Sequence, residues 1–328
     1  MRKNKVKEKI SRGEPALGIG LLWGCPDLEF CGYLGFDWIW LDGEHGRFSP
    51  YSLWDIARAS EVGDIIPIIR APQNDSKLLL EYLEAGIMGV IIPQVRTKED
   101  VVKAVNAAKY PPLGKRGSGA IRPAKYGLFS DQKDYFKKAN EETMVIALVE
   151  DPVGIENLAE ILLVEGLDAV VIGYSDLSMS MGHPGEPEHP DVRKVGKKAR
   201  EMIVTSDKWL QETIQDPNNA RKAVETGANL VRCSLTSLLR TGAQEYLEKA
   251  RGYNYSARAK TPIKYTTGRA CSFYFPLWKT TFPSMIVVKI LILWISSGLH
   301  VRMSLSSIAK SANFPDSIEP LMFSSWVM

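Results

Sequence analysis

Short runs of apolar, often β-branched residues recur from Ala16 to Cys233, and most give way to polar turn residues and then to an amphipathic stretch. Eight such runs predict strands: Ala16–Leu22, Trp38–Leu41, Ile65–Ile69, Gly89–Pro93, Val145–Val149, Ala169–Ile172, Leu210–Ile214 and Asn229–Cys233. Helical periodicity marks Asp75–Ala85, Lys98–Ala108, Ile155–Val164, Asp191–Ile203 and Asn218–Thr226 between them. Runs that stay apolar instead of alternating, separated by helices, belong to parallel strands covered on both faces. Eight such units in about 250 residues predict an α/β protein, a (β/α)8 barrel. The alternative is an open doubly wound sheet, which carries a glycine-rich phosphate loop after its first strand. Gly18, Gly20 and Gly24 lack that spacing.

Composition changes this picture mainly at the C-terminus. The chain of 328 residues is 45% hydrophobic and 24% charged, as soluble globular proteins are. Its net charge of +3 is misleading, because positions 252–328 hold eight basic and two acidic residues, a net of +6, which leaves −3 for residues 1–251. The body is slightly acidic and offers no surface for nucleic acid. Positions 252–328 lack periodicity and read as an atypical C-terminal extension beyond a barrel of residues 1–251. Cys25, Cys31, Cys233 and Cys271 form no CxxC pair, the pattern of free thiols in a reducing compartment. The charged start MRKNKVKEKISRGE is no secretory signal. The apolar stretch Met285–Leu299 is short of a membrane span and is broken by Lys289. A cytoplasmic protein without membrane partners is expected.

Barrel active sites gather at the C-terminal ends of the strands. There the sequence sets Asp42-Gly43-Glu44-His45-Gly46, Arg70, Gln94, Glu150-Asp151 and Gly173-Tyr174-Ser175-Asp176. Each has an ordinary structural role open to it: Asp176 as a helix cap, Arg70 as an ion-pair partner, Gln94 as a loop hydrogen-bonder. Their convergence on one mouth is what points to chemistry. Glu150 and Asp176 on neighbouring strands are hard oxygen ligands suited to Mg²⁺ or Mn²⁺, with Co²⁺ a further candidate. A 2-oxo acid would chelate such an ion and be stabilised as its enolate, with Arg70 adding positive charge. His45, with Asp42 three residues before it, forms a general base and an orienting carboxylate. No lysine ends a strand, which disfavours an imine route.

The segments FDWIWLDGEHGRFS, IIR at 68–70, GVIIPQV at 89–95, YPPLGKRGSG at 110–119 and LDAVVIGYSDLSMSMG at 167–182 resemble the HpcH/HpaI family of class II, metal-dependent pyruvate aldolases. That family includes 4-hydroxy-2-oxoheptanedioate, 2-dehydro-3-deoxyglucarate and 2-keto-3-deoxyrhamnonate aldolases. The resemblance runs from about Val6 to Arg251. It implies cleavage of a 4-hydroxy-2-oxo acid to pyruvate and an aldehyde. By the same resemblance Glu150 and Asp176 are metal ligands, His45 is the base with Asp42 behind it, and Arg70 sits on pyruvate. Backbone amides around Gly173, Tyr174 and Ser175 hold the pyruvate carboxylate. Relatives bind the aldehyde with a loop arginine from a neighbouring subunit, for which Arg122 is the match, and assemble as trimers of dimers, so a homo-oligomer is implied. The chain departs from the pattern at Leu148, where many members carry Gln, at Trp209, Gln211 and Glu212, and at Cys233–Thr236. Two other readings are a citrate-lyase β-like enzyme acting on acyl-CoA esters and a non-catalytic barrel that binds a 2-oxo acid. Lys115 and Arg116 are thin support for a CoA site, and a mere binder needs no base.

Overall fold

A computed structural model describes residues 1–21, 28–46, 48, 50–128 and 131–251. The expected extension at 252–328, with Cys271, lies outside the described residues, as do Cys25 and Leu22, the expected end of the first strand. Eight parallel strands close into a barrel in sequence order. They are β1 (Ala16–Leu21), β2 (Trp38–Asp42), β3 (Ile66–Arg70), β4 (Gly89–Ile92), β5 (Met144–Val149), β6 (Ala169–Ile172), β7 (Trp209–Thr213) and β8 (Leu230–Ser234). Helices α1 (Lys5–Ser11), α2 (Leu28–Tyr33), α3 (Pro50–Val62), α4 (Ser76–Ala85), α5 (Lys98–Ala108) and α6 (Gln132–Glu142) belong to the first half. The second half holds α7 (Pro152–Glu156), α8 (Leu158–Leu162), α9 (Tyr174–Ser180), α10 (Pro190–Val204), α11 (Pro217–Glu225) and α12 (Leu235–Arg251).

The apolar runs are continuous because alternate side chains enter two different cores. On β2, Trp38 and Trp40 join the barrel interior, while Ile39 and Leu41 pack in the layer between strands and helices. One expected helix, Ile155–Val164, is instead the pair α7 and α8. Asn157 breaks it: its backbone leaves helical ψ (φ −87°, ψ 3°) and its amide donates to the Arg96 carbonyl at 2.9 Å.

The N-terminal end of the barrel is closed by α1. Asn4 caps this helix by accepting the amides of Val6 and Lys7, and Val6 and Ile10, one turn apart, complete the interior core. Lys7 pairs with Asp168 at 2.6 Å and Lys9 with Asp37 at 2.9 Å. Both carboxylates also accept strand amides, Asp37 from Leu17 and Asp168 from Val145. Buried Lys109 adds itself to Asp168 at 3.6 Å and donates to the carbonyls of Asn140 and Thr143. Burial pulls the Lys109 pKa down to about 8, with Asp168 opposing.

Removing Asp168 strands a buried ammonium, unlike breaking an exposed pair. Asp168→Ala is expected to lower stability by about 3 kcal/mol at pH 7, read from urea unfolding. The loss should shrink at pH 9, above the Lys109 pKa of about 8, where the lysine no longer carries the charge that Asp168 balances. A pH-independent loss would show that the Lys109 charge contributes nothing to it, leaving Lys7 and the Val145 amide as its source.

Candidate active site

The opposite end of the barrel opens into a cavity of about 850 Å³, lined among others by His45, Arg70, Glu150, Asp176 and the first residues of α9. β2 ends in Asp42, β3 in Arg70, and Glu150 follows β5 directly. Asp176 stands in the first turn of α9, after β6. The structure therefore brings the predicted metal ligands, base and arginine to one mouth.

Glu150 is the buried member of the carboxylate pair, and Asp176 is exposed to the cavity. One Glu150 oxygen accepts the amide of Gln94 at 2.8 Å, from a backbone in the left-handed region (φ 52°). The other is accommodated by a glycine: a Cβ on Gly173 would lie 2.8 Å from Oε2. Burial pushes the Glu150 pKa up to about 7; the Gln94 amide counters this, the charges of Asp176 and Glu44 add to it, and Arg70 opposes. An unbalanced buried carboxylate facing two others is a group that gains from a cation. Its oxygen donors fit a hard divalent ion such as Mg²⁺ or Mn²⁺.

A second cluster, His183, His189 and Asp191, lies before and at the start of α10. Its imidazoles are stacked nearly parallel, 3.5 Å between centroids and 14° between planes. Lone pairs lie in the ring planes, so rings stacked in this way do not aim both at one ion, and the Nδ1 of His189 already accepts the amide of Asp191.

Arg70 is locked from two sides. It grips Asp42 through Nε at 3.1 Å and Nη2 at 2.5 Å, and pairs with Glu44 through Nη1 at 2.8 Å. Burial works to raise the Asp42 pKa, but the hydrogen bonds and charge of Arg70, with the amides of His45 and Glu44, hold it below the usual carboxylate value. Sequence reasoning paired Asp42 with the ring of His45. The described contacts pair it with Arg70 and with the His45 backbone amide at 3.1 Å, which fixes the loop and leaves the imidazole exposed at the cavity.

The amides of Tyr174 and Ser175 open α9 and lack intrahelical partners, as first-turn amides do. The Tyr174 ring packs against Gly196 and lies 4.6 Å from the Arg193 guanidinium, with Tyr174 and Arg193 both lining the same cavity. Arg122 does not line the cavity of its own chain; it pairs with Glu61 of α3. Leu148 faces the cavity, where its departure from the family pattern removes an amide. Trp40 and Arg232 also line the cavity, and sequence reasoning assigned neither. The available signal was an arginine set between Val231 and Cys233 in the eighth strand.

Comparison with known proteins agrees with this layout. The family pattern HpcH/HpaI aldolase/citrate lyase matches residues 27–239. The hydroxypyruvate/pyruvate aldolase of Deinococcus radiodurans is 36% identical over 254 residues, which is 76% of this chain and 91% of the relative. The 2-keto-3-deoxy-L-rhamnonate aldolase of Salmonella dublin is 34% identical, over 73% of this chain and 90% of the relative. A crystal structure of a family member from Burkholderia cenocepacia J2315 superposes with a TM-score of 0.71 at 27% identity, covering 76% of this chain and all of its own. The chain belongs to the HpcH/HpaI aldolase/citrate lyase family.

Proposed function

We propose that this chain is a class II aldolase, a carbon–carbon lyase that cleaves a 4-hydroxy-2-oxo acid into pyruvate and an aldehyde. The observation that carries this is the buried Glu150 carboxylate facing Asp176 at the barrel mouth, in a chain whose named relatives are aldolases. Glu150 and Asp176 hold the divalent cation, Mg²⁺ or Mn²⁺ with Co²⁺ a further candidate. When bound, the ion supplies Lewis acidity toward the 2-oxo group of the substrate.

The remaining steps fall to the chain's own groups. The amides of Tyr174 and Ser175, beside Gly173, receive the carboxylate of the 2-oxo acid. Arg70, immobilised by Asp42 and Glu44, presents a fixed positive charge to the developing negative oxygen. His45 takes the proton of the 4-hydroxyl as the carbon–carbon bond breaks, and returns a proton to the methyl carbon of pyruvate. Asp42 acts indirectly, by holding Arg70 and the loop that carries His45. An imine route finds no support: among the described residues no lysine lines the cavity, and Lys109, whose pKa is lowered, sits at the opposite end of the barrel. The resemblance further supports a homo-oligomer, a trimer of dimers in which Arg122 serves the mouth of a neighbouring chain. The scattered cysteines support a cytoplasmic location.

Full-length protein supplied with Mg²⁺, Mn²⁺ or Co²⁺ is expected to release pyruvate from a panel of 4-hydroxy-2-oxo acids, measured by a coupled dehydrogenase assay. EDTA treatment should abolish release and added metal restore it; full turnover after EDTA would refute the metal assignment. His45→Ala is expected to slow cleavage by about 10²- to 10⁴-fold and to slow exchange of the pyruvate methyl protons with deuterium by a similar factor. Near wild-type rates in both assays would make His45 a structural loop residue.

A further inference from the structure

Three buried polar atoms in the barrel interior have no hydrogen-bond partner among the described residues: Nε1 of Trp40, Oε1 of Gln211 and Nε of Arg232. They come from β2, β7 and β8, and all three residues line the cavity at the mouth. Buried polar groups are paired in folded proteins with few exceptions, so three orphans on the wall of one cavity call for a cause. Arg232 stands out, because it is a half-buried guanidinium whose Nε is shut off from water and unpaired, and a partly desolvated charge without a carboxylate costs more than an apolar side chain of similar volume. No ion pair joins Arg232 to any described residue.

The surroundings are shaped around this charge. Gly20, the β1 neighbour of Ser234, makes room for it: a Cβ there would lie 2.3 Å from the Nη1 of Arg232. The guanidinium lies 4.1 Å from the centre of the Trp40 ring, a cation–π contact that steadies its plane. Burial and the charge of Arg70 bring its pKa down to about 10, against the pull of Asp42, so it stays protonated at neutral pH. Leucine or methionine would fill the same space without an unmatched charge.

We propose that Arg232, Trp40 and Gln211 form an anion subsite in the cavity that takes a carboxylate carried by the aldehyde half of the substrate. The inference rests on the aldolase reading for the name of that half. Arg70 and the α9 amides already serve the pyruvate half. The subsite runs from β7 and β8 across β1 to Trp40 of β2, whose ring also lies 5.8 Å from the Arg70 guanidinium, while Glu150 and Asp176 stand at the ends of β5 and β6. Arg232 donates two hydrogen bonds to the carboxylate, and the indole N–H of Trp40 donates a third. The Gln211 amide, whose nitrogen donates to Thr213 Oγ1 at 3.5 Å, is turned over to present that nitrogen and donates a fourth.

The test uses metal-loaded, full-length protein and two variants, R232M and W40F. Condensation of pyruvate is measured with succinic semialdehyde and with butanal, which has the same chain length without the carboxylate. The ratio of their kcat/KM values is expected to fall about 10- to 100-fold in R232M, the size of a charge-assisted hydrogen bond. In W40F, which keeps a ring but loses the N–H, a fall of about 3- to 10-fold is expected. An unchanged ratio overturns the proposal. So does an effect confined to the KM of pyruvate, which would assign Arg232 to the carboxylate of pyruvate. Calorimetric titration with succinate and with butyrate is independent of turnover. Preference for succinate that is lost in R232M supports the subsite even if neither aldehyde reacts, in which case the aldolase reading fails by itself. Equal binding of succinate by wild type and both variants, or by none of them, overturns the subsite.

Discussion

A carboxylate buried next to other carboxylates is an electrostatic debt that the protein alone leaves open. Glu150 is in that position, sealed at the barrel mouth beside Asp176 and Glu44. Its pKa near 7, well above the ordinary carboxylate value, means that the metal-free fold loses stability as pH rises from about 4.5 through about 7, because the unfolded chain sheds this proton more readily. A divalent cation bound there, as proposed, would remove the penalty and convert it into affinity. The supporting features follow from this need. Gln94 adopts a left-handed backbone to aim its amide at one oxygen, and Gly173 leaves space for the other. Arg70, the nearby cation, is tied to Asp42 and Glu44.

The two ends of the barrel divide stability from chemistry. At the N-terminal end, Lys7, Lys9 and Lys109 are matched to Asp37 and Asp168, and these carboxylates also accept backbone amides. Each of these five charges has an ion-pair partner, and α1 seals the core beneath them. At the mouth the charges are not balanced: carboxylates outnumber cations around Glu150, while Arg232 forms no ion pair with any described residue. Such imbalance in a closed parallel barrel is tolerated where ligands complete it, and the orphaned groups of Trp40, Gln211 and Arg232 all lie on the wall of the cavity.

Much of this was legible in the sequence, for identifiable reasons. Strands covered on both faces give unbroken apolar runs, so all eight strands could be read to within a residue or two. Strand ends in a barrel share one mouth by topology, so Asp42, His45, Arg70, Glu150 and Asp176 could be grouped without coordinates. What failed depended on local backbone geometry and on side-chain direction. The break at Asn157 is a single backbone rotation within a segment of good helical periodicity. The partner of Asp42 is Arg70, twenty-eight positions away, instead of the nearby ring of His45. Gln211 was visible as a departure from the family pattern, and Arg232 was not. A polar residue within a strand reads the same whether it points to solvent or into the barrel, and only the register of β8 against Gly18 on β1 turns it inward.

The most direct test is metal binding itself. Metal-stripped, full-length protein is titrated with Mn²⁺ at pH 6 and pH 8, and the free aqua ion is followed by electron paramagnetic resonance. Glu150 must lose its proton to coordinate, so a single site per chain should bind about tenfold more weakly at pH 6 than at pH 8. Glu150→Gln should abolish that site while leaving the thermal unfolding of the metal-free chain cooperative. Equal affinity at the two pH values, or undiminished Mn²⁺ binding by the Glu150→Gln variant, would contradict the assignment of the barrel mouth as the metal centre.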